Sequence, residues 1–164
     1  MALLAGTACG AHAESATEAD IKAAYLFNFA LFVEWPNRGQ PTFTICQHGA
    51  DTLGEGAKAL ARRTLHGKAI TVRNVADNQF TGCDVLYISS SEKSRIRALT
   101  SSLRGMSILT VSDAPDAAKE GATIGLSVEG QRIVFEVNIA QARKSNLVIS
   151  AKLLALARSV VDVP

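Results

Sequence analysis

Several groups of side chains have the types and spacing that chemistry uses. Gly54-Glu55-Gly56-Ala57-Lys58-Ala59 matches G-x-G-x-x-A between an expected strand and helix. A dinucleotide fingerprint needs its glycines in the tight turn itself, so that the helix N-terminus meets the pyrophosphate, and here several residues separate them from the strand. A P-loop is excluded because Glu55 stands where its lysine would have to be. Cys46-x-His48 with His66 is half of a metal site at best, since structural zinc needs four ligands in close pairs and no second pair exists. His48 reads instead as a surface residue at a strand end. Asp113, Asp116 and Glu120 form a loose acidic loop without the oxygen-ligand spacing of a calcium loop, so solvation accounts for them. No G-x-S-x-G elbow and no acid or base cluster accompanies any serine or cysteine. The expectation is a non-catalytic protein with no cofactor and no metal.

The element that the rest must position is Ile21 to Pro36, IKAAYLFNFALFVEWP. Between Lys22 and Glu34 it has no charge, and Asn28 is its one strongly polar side chain. A half-exposed surface helix does not tolerate that composition, so more than one face must be covered. The sheet is the expected cover on one side, and the C-terminal helix or a second subunit on the other. If Phe27, Leu31 and Val33 are exposed in one protomer, that face is an interface and a homodimer follows; if they are buried, it is core.

With 164 residues, the chain suits one domain with a proper core. Its 17 basic and 15 acidic residues are well mixed, which removes the basic patch that nucleic acid would need. Residues 1–13, MALLAGTACGAHA, are small and apolar and end in Ala-His-Ala, the pattern that signal peptidase cleaves. They read as the remnant of a signal peptide cut after about Ala13, with a plain N-terminal tail as the alternative, and residues 14–164 read as the mature domain. Export follows, and Cys9 would leave with the leader. Cys46 and Cys83 remain, an even count that suggests one bridge in an oxidising compartment, against the alternative of two buried thiols.

In order, Thr17 and Asp20 make a capping box for a helix over Glu18–Val33, ended by Pro36, which places Trp35 at a corner where it serves as a core lid or a ligand-stacking ring. Strands are expected at Thr42–His48, Ala69–Val75, Val85–Ser89 and Ser107–Val111. Helices are expected at about Thr52–Arg63 and, capped by Ser90 or Ser91, at Glu92–Leu103. Strands over 122–128 and 131–137, joined by Glu129-Gly130, form a hairpin in which Leu126 would face Ile133 and Ile124 would face Phe135. Asn138 caps a short helix through Lys144, and Ser150 caps a last helix with the stripe Leu153, Leu154, Ala157, Val160 and Val161. The fold class is α/β: one domain with a mixed, largely parallel sheet flanked by helices and a C-terminal β-hairpin.

The succession IKAAYLFNFALFVEWP, FTICQHG, GCDVLYIS, SILTVSD, QRIVFEVNIAQAR and LVISAKLLALAR resembles the YfiR family, in order from about Ala19 to Arg158. The resemblance implies a periplasmic regulator that binds the periplasmic part of an inner-membrane diguanylate cyclase, represses it and lowers cyclic di-GMP signalling. It also implies a second partner, an outer-membrane lipoprotein that sequesters the regulator. Cys46 and Cys83 match the bridged pair of the family. The second bridge of some members has no counterpart, since no cysteine follows Cys83. Arg132, Glu136 and Asn138 match the block R-x-x-F-E-x-N, whose polar face is a candidate partner surface beside a purely structural role. With Asn28 and Trp35 they are the candidate partner- or ligand-binding residues. The alternative function is a periplasmic small-molecule sensor with its pocket near Trp35.

Overall fold

Thr17 starts the first helix by a reciprocal cap: its hydroxyl accepts from the Asp20 amide, and the Asp20 carboxylate accepts from the Thr17 amide. The computed structural model describes residues 15–36, 39–50, 53–130 and 132–164, so the leader reading for 1–13 lies outside the described residues. The cap launches α1 (Glu18–Leu31), followed by β1 (Val33–Glu34), β2 (Thr42–His48), α2 (Gly54–Ala61), β3 (Thr64–Leu65), β4 (Lys68–Asn74) and β5 (Val85–Ile88). A 3-10 segment, Ser90–Arg95, leads into α3 (Ile96–Ser102) and then β6 (Leu109–Ser112). β7 (Ile124–Glu129) and β8 (Arg132–Asn138) form the hairpin, and α4 (Ile139–Lys144), β9 (Val148–Ile149), α5 (Ala151–Leu156) and β10 (Ser159–Val161) complete the fold.

Eight strands form one sheet in the order β10-β8-β7-β6-β5-β2-β4-β3. The run β4-β2-β5-β6-β7 is parallel throughout, with antiparallel pairings only at β7–β8 and β3–β4. The α/β class and its C-terminal hairpin therefore stand as read. Central β5 is buried on both faces: Val85 and Tyr87 point into the core under α1 and α2, and Leu86 and Ile88 into the core under α3. The disulfide Cys46–Cys83 lies in that second core, joining the middle of β2 to the residue two before β5.

α1 packs on the sheet through Phe29, whose ring meets Phe135 of β8 edge-on at 4.9 Å. Its other cover is α2. A Cβ on Gly56 would lie 2.6 Å from Ala23 Cβ and 3.0 Å from the Ala19 carbonyl oxygen, so only glycine lets the two helices approach this closely. This is what the G-x-G-x-x-A glycines do: one closes a helix crossing, and neither frames a phosphate turn. Phe27 and Val33 are buried within the protomer while Leu31 is 41% exposed on an outward stripe with Ala24 and Asn28. The stretch is mainly core, which removes the ground on which it suggested a second subunit.

Other expectations are corrected. The hairpin register is Glu129↔Arg132, Val128↔Ile133, Leu126↔Phe135 and Ile124↔Val137, displaced by two residues from the expected one, so Glu129 belongs to the strand and not to the loop. A shift of two keeps every side chain on its face. Helix α1 stops at Leu31, short of Val33, and Pro36 follows β1 instead of ending the helix. Ser89, not Ser90 or Ser91, caps the 3-10 segment. The C-terminal stripe breaks after Leu156, and Ser159–Val161 leave helix to pair in parallel with Glu136–Asn138, where β-branched residues extend an open sheet edge.

Candidate functional site

Trp35 is placed by a two-strand ribbon. β1 pairs antiparallel with β9, Val33↔Ile149 and Glu34↔Val148, and the Ser150 amide donates to the Phe32 carbonyl at 2.9 Å. The indole Nε1 then donates to the Asp84 carbonyl at 3.1 Å, and the ring stands edge-on to Phe43 at 5.1 Å. Asp84 is itself fixed, since its carboxylate accepts from the Thr44 amide at 2.7 Å. The exposed part of Trp35 borders a cleft of about 420 Å³ at the amino ends of β2, β4 and β5. Val33, Pro36, Phe43 and Leu65 give it apolar walls, and Glu34, Gln40, His66 and Lys68 give it a rim of both charge signs. Such a cleft can hold a small amphipathic molecule. Among the described residues that line it, no nucleophile stands beside a base.

The R-x-x-F-E-x-N block is divided among three environments. Arg132 is exposed at the hairpin end. Glu136 is half-buried, accepts from the Ser159 hydroxyl at 2.9 Å, and lines a cleft of about 320 Å³ with Asp113, Asp116, Val134 and Arg158. Arg158, also bonded to Glu129, has its guanidinium held above its ordinary pKa by that hydrogen bond. Asn138 is 0% exposed. Its amide nitrogen donates to the carbonyls of Ala118 at 2.8 Å and Val163 at 3.0 Å, and its oxygen accepts from the Gln141 amide, capping α4. Asn138 thus touches no solvent and acts through the shape it imposes. Asn28 lies on the outward stripe of α1. Of the five candidates, Trp35 borders the first cleft and Glu136 the second; the structure does not gather them into one site.

Two buried polar arrangements went unseen in the sequence. His48 is buried, not at the surface, because the β4–β5 turn folds over it: Nδ1 donates to the Val75 carbonyl at 2.9 Å, and Nε2 lies 3.2 Å from Asp77 Oδ1. Among the described residues no group of three or more histidine, cysteine, aspartate or glutamate side chains is placed to hold a metal ion. The second arrangement joins α1 to the end of β6. Lys22 Nζ lies 2.6 Å from Asp113 and 2.5 Å from Glu18, with the Lys22 and Asp113 side chains only 12% and 8% exposed. Asp113 is therefore a structural ion-pair partner and not a solvated loop carboxylate. A separation of 91 positions hides such a pair from sequence reading. Burial is the largest influence on the Lys22 ammonium and lowers its pKa, but the hydrogen bonds and charges of Asp113 and Glu18 outweigh it and leave the group above its ordinary value.

Replacing Lys22 by Met strands a buried carboxylate whose Oδ1 already has no hydrogen-bond partner. The expected loss is about 2 kcal/mol, below that of a fully buried pair because both groups keep some solvent. Urea unfolding should show a lower midpoint, with part of the loss recovered in the K22M/D113N double variant; equal midpoints for wild type and K22M would disprove it. The raised pKa fixes the sign with pH. The contribution is complete below the ordinary lysine value of 10.5 and is lost as pH rises beyond it.

The model of the YfiR/HmsC-like family matches residues 19–158, from the second residue of α1 to the arginine preceding β10. That span takes in both bridged cysteines, Trp35 and the whole hairpin block, and the chain belongs to the YfiR/HmsC-like family.

Proposed function

We propose that the protein is a non-catalytic periplasmic regulator that binds the periplasmic part of a membrane-anchored diguanylate cyclase and lowers cyclic di-GMP production. The observation that carries this reading is the family match over residues 19–158, which covers nearly all of the described fold. The disulfide supports an oxidising compartment. Among the described residues no helix is long and apolar enough to cross a membrane. Arg132 and Glu136, on the hairpin face, are the partner contacts we propose, with an outer-membrane lipoprotein as the competing partner.

Deleting the gene should raise cyclic di-GMP and surface attachment, and restoring it should reverse both. An unchanged level in the deletion strain sinks the reading. R132A should restore repression less completely than wild type while keeping its unfolding midpoint, because an exposed side chain with no hydrogen-bond or ion-pair partner among the described residues contributes little to the fold.

A second reading, a small-molecule sensor, is favoured by the Trp35 cleft. The two are compatible, since a ligand seated there would change the regulator's affinity for its partner. A metabolite that binds only the folded state must raise the thermal midpoint. A panel producing no rise would remove this second reading and leave the first standing.

A further inference from the structure

We propose that the concavity between α3, α4 and the loop before β7 binds a phosphate group. The hollow, about 150 Å³, is lined by the cations Arg97, Arg104, Lys119 and Lys144 and by the carboxylate of Glu120, with Pro164 on the same wall. Glu120 is occupied by Arg97 at 3.0 Å, and Lys119 is held by Asp116 at 2.7 Å. Arg104 and Lys144 are exposed and have no ion-pair or hydrogen-bond partner among the described residues, and the side chains of Ser101 and Gln141 beside them are equally unengaged.

Gly121 makes the hollow possible. Its φ is +107°, and a Cβ there would fall 2.7 Å from Thr100 Oγ1, so a residue without a side chain seats the loop against α3. Arg104 follows α3 and Lys144 lies in the last turn of α4, where each offsets a helix dipole. That role needs neither a shared concavity nor the two neutral donors facing it. Two free cations, a hydroxyl and an amide lining one hollow suit a phosphate group, whose anionic oxygens accept from all four whether it is a monoester or a diester.

The phosphate could belong to a soluble molecule or to a lipid headgroup, and two probes separate them. Inorganic phosphate, titrated into isotope-labelled protein at an ionic strength held constant with chloride, should give saturable amide shifts at Ser101, Gly121 and Gln141. Vesicles of phosphatidylcholine with and without phosphatidylglycerol test the headgroup. Saturable phosphate binding without vesicle binding assigns the soluble source; cosedimentation that requires phosphatidylglycerol assigns the lipid. In either case the R104A/K144A variant should lose affinity by at least about tenfold, while R62A/K152A, which removes the same charge elsewhere, should not. Equal losses in both variants, or no saturable response to either probe, would overturn the proposal.

Discussion

Replacing Cys46 and Cys83 together by alanine is expected to lower unfolding stability by about 4 kcal/mol, the loop-closure entropy of a bridge that encloses nearly forty residues. The two residues are 37 apart in sequence, with Cα atoms 5.8 Å apart and both side chains fully buried. They sit on neighbouring structure, since Ile45 and Val85 pair across β2 and β5. The segment they enclose contains α2, β3 and β4, so in the unfolded chain the bridge restrains a helix and the two strands after it. Arg73 helps hold the native end of this loop, donating to the Thr81 carbonyl at 2.7 Å. A loss of this size rivals the net stability of a domain. Urea unfolding with and without reductant should reproduce it in the wild type, and the double variant should be indifferent to reductant. A wild-type midpoint that reductant does not move would show that the bridge does not constrain the unfolded chain. The consequence for function is compartmental: the domain is expected to accumulate folded where thiols are oxidised and to be lost to proteolysis where they are not.

Local chemistry was the legible part of the fold. Thr17 with Asp20, Asn138 with Gln141 and Ser150 each announce a helix start by a side chain and an amide three residues apart, and each cap is present. The uninterrupted apolar run of β5 announces burial on both faces. The readings that failed depend on partners distant in sequence. The hairpin pattern cannot tell its register from one displaced by two residues, because both bury Ile124, Leu126, Ile133 and Phe135. Val160 and Val161 continue a helical stripe as well as they form a strand, and the open edge of β8 decides between them. Of the site, Trp35 could be marked as a corner residue. Its cleft is assembled from residues of α1's exit, β2, the β3–β4 turn and the approach to β5, and no contiguous motif records that assembly.

The same dependence makes Phe29 the most consequential residue of the first helix. It is 1% exposed, stands edge-on to Tyr25 at 5.9 Å and to Phe135 at 4.9 Å, and is the aromatic tie between α1 and the hairpin. Phe29→Ala removes a large buried side chain from a site walled by two elements that cannot collapse inward, and is expected to cost about 3–5 kcal/mol. The edge-on pairs account for about 1 kcal/mol of that beyond area alone. One residue earlier, Asn28 faces outward, and Asn28→Ala should change stability by no more than about 0.5 kcal/mol in either direction. The contrast between adjacent positions tests the placement of the helix: similar losses at both would mean that the stretch is packed otherwise than between the sheet and α2. It also makes Asn28 usable as a functional probe. Because N28A should fold as well as the wild type, a loss of cyclase repression in N28A at an unchanged unfolding midpoint would identify the outward stripe of α1 as a contact surface, whereas the same loss in F29A would report only on the core.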